Sequence, residues 1–426
     1  MTTLVALNRL LPSSMRYGHF RYYWLALLAG VTGHQMLLQF TMGWLIYKLT
    51  GEVLSLAFLG IATAIPALLL NVAGGVLADR WEPKLLVAAA QSISATVVAL
   101  LAVLVMLDQV EMWHILVTAV IIGALQAFDQ PSRSSVFPRL VEREHIVNAV
   151  AMESIVWNGV RILGPVLAGI VIGRVNIETS MFISAATFYI LGAVVAMLKL
   201  RARPPATGRV LRQVGESIRY IRQHPIFFYV MLLTFCNSLF GMAYIGLMPE
   251  FAREVLNVGA EKIGLLLGAS GIGAILGTWI IGSLKDGFPK GKLILVGAFL
   301  YGVFQILFAL AASQQLYGLS MALLVFVGVT NSLYLTGGLS SLQQFVPDQL
   351  RGRVMGIYGA TWSLGPLGTS LGAFVADSVG APVAVAVGAG VLSAVAVLVF
   401  ILSPDIRGLR VGLSDRVQPA IAEPAD

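Results

Sequence analysis

The chain has 426 residues, of which 58% are hydrophobic and only 12% are charged, and its mean hydropathy is +0.85. A soluble protein cannot reach this balance without covering its surface in apolar area. The formal net charge is +7, but the cations are dispersed between apolar segments, which argues against nucleic acid and favours a membrane surface. A single cysteine, Cys236, excludes an internal disulfide, and five dispersed histidines form no metal site.

About twelve apolar runs are long enough to cross a bilayer, which takes about 20 residues. The first twenty residues lack the pattern of a cleavable signal peptide. We therefore predict an all-α membrane protein with twelve transmembrane helices in two pseudo-symmetric six-helix bundles. The predicted spans are residues 22–47, 53–78, 85–107, 112–130, 148–172, 177–198, 226–249, 263–284, 292–312, 316–338, 353–376 and 381–403.

The lysines and arginines predict the orientation of these spans. With both termini placed in the cytoplasm, 23 of the 28 cations, Arg133 among them, fall in cytoplasmic segments, and only Lys48, Arg174, Arg253 and Lys262 fall on the other side. This bias follows the positive-inside rule. We expect a multi-pass protein of the cytoplasmic membrane, with Arg161 left inside a span.

A short loop between two spans occurs twice. Residues 74–84 read GGVLADRWEPK, and residues 282–292 read GSLKDGFPKGK, about 207 positions later. The stretch 137–169 also resembles 345–372 at a shift of about 205. A repeat of half a chain of membrane segments predicts two bundles with a pathway between them.

The repeat sets the expected domains. Residues 1–200 form the first bundle, 226–410 form the second, and 411–426 form a disordered cytoplasmic tail. Residues 201–225 form a cytoplasmic linker in which Val210, Val214, Ile218 and Ile221 recur at helical spacing. This spacing predicts an amphipathic helix on the inner leaflet or, equally, a solvated linker helix.

The twelve spans, the central loop and GGVLADRWEPK together resemble the major facilitator superfamily. The loop matches that family's motif at Gly75, Leu77, Asp79, Arg80 and Lys84, and departs from it over residues 81–83. The sequence of this loop and the segment DQLRGRVMG before span eleven resemble those of one branch of the family, the enterobactin exporters and macrolide-efflux proteins. The resemblance covers essentially the whole chain.

The resemblance implies a conformational latch at the cytoplasmic ends of the spans, in which Arg80 pairs with Asp129 and Asp79 faces the start of span eleven. The alternative is that Asp79 and Arg80 simply mark the positive-inside edge. The full set of latch candidates is Gly75, Asp79, Arg80, Lys84, Asp129, Gly282 and Asp286.

Small residues in span five give a second resemblance. Gly164, Pro165 and Gly169 partly match a glycine-proline signature that the family associates with antiporters. Small residues allow close helix packing and proline bends a helix, so ordinary tight packing explains the same residues.

Ionisable groups inside the spans are candidates for proton coupling, because each costs a few kcal/mol to place in a bilayer. Glu153 and Arg161 lie in span five, about 12 Å apart along the helix axis, and Glu153 is a carboxylate that can gain a proton when desolvated. Alternatively, Glu153 is a solvated charge at the membrane interface. Asp129 is a rival candidate. His34 is another, although a lone histidine is more often a structural hydrogen-bond donor.

Polar and aromatic side chains recur at helical spacing on several spans. In the family, spans one, four, seven and ten line the substrate cavity, and amides with aromatic rings suit a bulky amphipathic molecule. Helix–helix hydrogen bonding is the alternative explanation. The cavity candidates are Gln35, Gln39, Gln126, Trp157, Asn237, Tyr244, Asn331 and Tyr334.

These features predict a secondary transporter that exports a lipophilic or siderophore-like small molecule by proton antiport, acting as a monomer without a cofactor. No phosphate-binding G-x-x-x-x-G-K-[ST] loop is present. The alternatives are a nutrient importer or symporter and a lipid flippase. A polytopic membrane enzyme would need clustered acids or a nucleophile–base pair, and we find neither in the sequence.

Overall fold

The computed structural model describes residues 12–200, 219, 221–284, 288–346 and 348–408. Within these ranges the chain is helical, with no β-strand. The predicted linker helix lies almost wholly outside the described residues, as does the tail.

Five of the first six long segments are continuous helices. The first runs Gly18–Met36, widens into a π-helical turn at Leu37–Thr41, and continues as Met42–Thr50; we call this whole segment α1. The others are α2 Leu54–Arg80, α3 Pro83–Met106, α4 Met112–Val136, α5 Ile146–Arg174 and α6 Ile177–Met197.

The ends of these helices follow from local sequence. Gly51 stops α1 in a left-handed conformation (φ +70°), which glycine adopts without steric strain. Pro83 occupies the first turn of α3, where its missing N–H has no helical partner to lose. The Asn176 side chain accepts a hydrogen bond from the backbone N–H of Thr179 at 2.9 Å and caps α6.

The later segments include two that are interrupted. Segment α7 consists of Pro225–Cys236, a π-helical turn Asn237–Gly241, Ala243–Gly246, Met248–Glu250 and a second π-helical turn Phe251–Val255. Helices α8 Ala260–Gly282, α9 Lys290–Ser313 and α10 Tyr317–Phe345 follow. Segment α11 has two pieces, Asp348–Trp362 and Gly365–Val379, and α12 is Ala381–Leu402.

Ten stretches of the described chain are long and apolar enough to cross a membrane. They correspond to the predicted spans two to ten and to span twelve. The positions of the first and eleventh predicted spans are occupied by α1 and α11, which do not meet that criterion of length and hydropathy. In α11 the break at residues 363–364 precedes Gly365, and Pro366 then lies in the first turn of the second piece.

The described residues form two compact units. One contains residues up to 200 together with Ile245–Gly268, which are the end of α7 and the start of α8. The other contains residues 219–244 and those from Ala269 onward. In the first unit α3 packs on α6, and α1 packs on α5 and α6. In the second unit α9 packs on α12, and the π-helical turn of α7 packs on α11 and α12.

The same glycine contact occurs in both units. In the first, a Cβ at Gly123 of α4 would collide with the carbonyl oxygen of Thr63 of α2. In the second, a Cβ at Gly328 of α10 would collide with the carbonyl oxygen of Ser270 of α8. The two pairs are 205 and 207 positions apart (328 minus 123 and 270 minus 63), matching the repeat read from the sequence. Glycine is required because the backbones nearly touch.

This contact predicts a stability defect. Gly328→Ala should destabilise the protein by about 1–3 kcal/mol or more, because the added methyl group has no space against a backbone carbonyl. Melting of the purified protein in detergent, followed by fluorescence, measures the loss. Gly318→Ala in the same helix is the matched control, since a Cβ there meets nothing within 4 Å. Equal melting temperatures for the two variants would contradict the close approach of α8 and α10.

Candidate functional site

A buried ion pair lies near the end of α4. Nε of Arg133 is 2.8 Å from Oδ2 of Asp129, one turn earlier in the same helix. The residues are 9% and 4% exposed. The Nε–H bond does not point at the carboxylate, so the contact is an ion pair without an aligned hydrogen bond. A charge in such surroundings is stable only beside an opposite charge.

Aromatic side chains from two other helices surround this pair. The Arg133 guanidinium carbon lies 5.1 Å from the centre of the Trp157 ring of α5, within the range of a cation–π interaction. The His34 ring of α1 meets Trp157 edge-on, with 6.3 Å between ring centroids. Trp157 therefore contacts ionisable side chains of α1 and α4.

A hydrogen bond aligns α1 with α5 beside the ion pair. The indole N–H of Trp24 donates to the backbone carbonyl of Met152 at 2.8 Å. The residues next to these two, Tyr23 and Glu153, consequently lie at the same level of the unit. Glu153 is half-buried and within electrostatic reach of both Tyr23 and Arg133. We call Tyr23, Asp129, Arg133, Glu153 and Trp157 the charged cluster.

The formal charges of the cluster do not cancel. Asp129 and Glu153 carry two negative charges when ionised, and Arg133 carries one positive charge. With both carboxyls ionised, the cluster therefore carries one excess negative charge, which a low-dielectric environment disfavours.

Local sequence explains why α4 reaches this far. Pro131 cannot donate a backbone hydrogen bond to the carbonyl of Ala127, four residues earlier. In the structure that carbonyl faces Gly74 of α2, where a Cβ would collide with it. A close helix contact is therefore found at this carbonyl, and α4 continues through Pro131 to Val136.

This continuation corrects the placement of Arg133. Predicted span four ended at residue 130, but the helix continues past it, so Arg133 lies in α4 and not in a loop. The sequence signal that could have identified it is the i,i+4 spacing of Asp129 and Arg133, which places opposite charges on one helix face.

The other candidates of the first unit lie around the cluster. Gln35 is buried, and its Cβ is 2.5 Å from the position of a Cβ at Gly164, so α1 and α5 are close here. Gln39 lies in the π-helical turn of α1, and Gln126 is half-buried one turn before Asp129. Arg161 is half-buried two turns beyond Glu153 on α5.

The second unit places three cavity candidates inside its helix packing. Asn237, Tyr244 and Tyr334 are 0%, 5% and 2% exposed, and only Asn331 is half-buried. Next to Asn237, the Gly241 carbonyl accepts hydrogen bonds from the Tyr301 hydroxyl at 2.8 Å and from Nε2 of Gln305 at 3.0 Å. These three side chains are packed between helices of the unit, and their assignment to a substrate cavity stays a prediction.

The small residues of α5 meet the start of α8. A Cβ at Gly169 would lie 2.9 Å from the Cα of Gly264, and a Cβ at Gly264 would lie 2.9 Å from the carbonyl oxygen of Pro165. At the end of α5, Arg174 forms an ion pair with Glu261 at 2.7 Å. Gly164, Pro165 and Gly169 thus all lie at helix contacts.

The latch candidates are only partly described. The surroundings of Gly75 and the side chains of Asp79 and Arg80 lie outside the described part of the structure, as does Asp286 as a whole. Lys84 forms an ion pair with the exposed Glu82 at 3.4 Å. A Cβ added at Gly282 would have no described atom within 4 Å. Among the described residues, no group of three or more histidine, cysteine or acidic side chains is placed to hold a metal ion.

Removing one member of the ion pair should destabilise the protein. Asp129→Asn leaves the Arg133 charge buried without its counter-ion, at a cost of about 3–5 kcal/mol. The double variant Asp129→Asn with Arg133→Gln should recover much of the lost melting temperature, because no charge is then stranded. Glu82→Gln is the control, since its exposed pair with Lys84 contributes about 0–1 kcal/mol. A double variant that is less stable than either single variant would contradict a buried pair.

Comparison with known proteins agrees with this architecture. The profile of the transmembrane secretion effector family matches residues 12–414. The staphyloferrin A transporter of Staphylococcus aureus is 24% identical over 349 residues, which cover 80% of this chain and 85% of that protein. The enterobactin exporter EntS of Citrobacter koseri is 25% identical over 292 residues, covering 67% and 68% of the two chains. The latter confirms the likeness to the enterobactin-exporter branch.

A solved structure shows the same fold. The bacterial homologue of the human lysosomal transporter Spinster superposes with a TM-score of 0.68 at 15% identity, covering 90% of this chain and 95% of that one. Since the family profile spans nearly the whole chain, the protein belongs to the transmembrane secretion effector family of the major facilitator superfamily and is a multi-pass membrane transporter of small molecules.

Proposed function

We propose that this transporter exports a bulky lipophilic or siderophore-like compound in exchange for protons. The observation that carries the proposal is the charged cluster, in which one buried guanidinium is shared by two carboxylates. Because a single proton neutralises the cluster, a pH gradient can drive a change in its charge once in each cycle.

The relatives support the direction and the class of substrate. One is named an enterobactin exporter and another a staphyloferrin A transporter. We propose that this protein exports compounds of the same kind. The cluster also contains the indole ring of Trp157, which suits an amphipathic molecule better than a small inorganic ion.

Within this proposal Glu153 carries the proton. It is less buried than Asp129 and shares the Arg133 charge without the short contact that Asp129 makes. Asp129 then keeps Arg133 in place, while Glu153 exchanges its proton with water. The positive-inside distribution of the loop cations supports a cytoplasmic location of both termini.

Replacing Glu153 by glutamine should uncouple transport from the pH gradient. In everted membrane vesicles, gradient-driven accumulation of ethidium, erythromycin or a catecholate siderophore should fall by about tenfold or more, since an amide cannot carry the proton. Exchange of labelled for unlabelled compound across the membrane should persist, because it needs no net proton movement.

Glu144→Gln is the matched control for this experiment, since Glu144 lies just before α5 and its side chain is 70% exposed. Unchanged gradient-driven accumulation in Glu153→Gln would remove Glu153 from the mechanism. Uptake in the opposite direction by the unmodified protein would favour a symporter.

The latch assigned to the loop between α2 and α3 is part of the same proposal. Asp79→Asn should slow transport by several-fold without reducing the amount of protein in the membrane, because it removes an acceptor that holds one conformational state. Vesicle transport normalised to immunoblotted protein measures this, with Glu82→Gln as the control in the same loop. Full activity of Asp79→Asn would exclude the latch.

A further inference from the structure

One member of the charged cluster has no role in the function proposed above. Tyr23 is 0% exposed, and its hydroxyl forms no hydrogen bond with any described residue. Burying a polar atom without a partner is unfavourable, and most tyrosine hydroxyls in such positions have one. A phenylalanine would pack equally well in an apolar site, so the hydroxyl calls for an explanation.

Tyr23 lies within electrostatic reach of three ionisable groups, Asp129 and Arg133 of α4 and Glu153 of α5. It also belongs to a buried apolar cluster that includes Val87 of α3 and Leu191 and Val195 of α6. The hydroxyl is thus a polar atom buried in an apolar cluster close to three charges.

Two further polar atoms of α4 share this situation. Oδ1 of Asp129 and Oγ of Ser132 are buried, and neither bonds to a described residue. Asp129 is 4% exposed and Ser132 is 0% exposed. Tyr23, Asp129 and Ser132 thus each have a buried oxygen atom without a hydrogen-bond partner among the described residues.

The hydrogen bond from Trp24 to the Met152 carbonyl holds this region together. It joins α1 and α5 one residue away from Tyr23 and Glu153, so the level of Tyr23 relative to Glu153 is set by a direct contact at 2.8 Å. Trp157 contacts the Arg133 guanidinium one turn further along α5. Its indole ring can report the charge state of the cluster.

We propose that Tyr23 is a positioning residue for the transported proton. Its hydroxyl donates a hydrogen bond to the carboxylate of Asp129 or Glu153 that is ionised once the cluster has released its proton. The inference rests on the proposed proton exchange at Glu153. The hydrogen bond stabilises the ionised form, so the hydroxyl helps the cluster to release its proton.

The test uses Tyr23→Phe, which keeps the ring and removes only the hydroxyl. Purified full-length protein in lipid nanodiscs is titrated from acid to alkaline pH while tryptophan fluorescence is recorded. The same titration is recorded for the Trp157→Phe variant, and its fluorescence is subtracted from that of the unmodified protein to give the signal of Trp157 alone. We expect one titration step in the unmodified protein, and its loss in Glu153→Gln.

In Tyr23→Phe the midpoint of that step should move to higher pH by about one unit, the effect of losing one hydrogen bond to a charged group. Tyr22→Phe is the matched control, because Tyr22 is 66% exposed and should leave the midpoint unchanged. In an Asp129→Asn background, Tyr23→Phe should shift the midpoint less, since one of its two acceptors has lost its charge.

An unshifted or lowered midpoint in Tyr23→Phe would overturn the inference, as would a titration without any step in the unmodified protein. The readout needs neither a substrate nor a gradient, so it fails separately from the transport proposal. Vesicle transport independent of the pH gradient, together with a shifted midpoint, would refute proton coupling while supporting the hydrogen bond from Tyr23.

Discussion

The central interaction of the first unit is the ion pair between the buried guanidinium of Arg133 and the carboxylate of Asp129. Arg133 lies in the last turns of a helix that is otherwise long and apolar, and its charge is compatible with that position because Asp129 is 2.8 Å away. The contact with Trp157 and the electrostatic reach of Glu153 then bring α5 into the same cluster. Side chains of three helices, α1, α4 and α5, are thus arranged around one positive charge.

Hydropathy and the repeat were sufficient to predict the fold. Nine of the first ten predicted spans and the twelfth coincide with long apolar helices, since the bilayer length leaves little freedom. The repeat predicted from the sequence is also seen in the structure. Gly123 with Thr63 and Gly328 with Ser270 form the same backbone contact in two copies. The family resemblance seen in the loop after α2 is confirmed by the profile that matches residues 12–414.

The site was less predictable, for two physical reasons. A proline such as Pro131 normally indicates the end of a helix, but α4 continues through it to Val136, with the Ala127 carbonyl lying against Gly74 of α2. A π-helical turn also adds a residue to a helix, so the faces before and after it differ by about 100°. The polar stripes of α1 and α7 cross such turns at Leu37–Thr41 and Asn237–Gly241, so regular helical spacing does not give the face that residues beyond the turn occupy.

The backbone contacts at Gly123 and Gly328 also limit how the molecule can deform. Two helices whose carbonyl oxygens fill the space of a missing Cβ cannot slide along each other by even part of a turn without a collision. Sliding is therefore disfavoured in the pairs α2–α4 and α8–α10. The positions where bending would break the fewest regular hydrogen bonds are in the interrupted segments α1, α7 and α11.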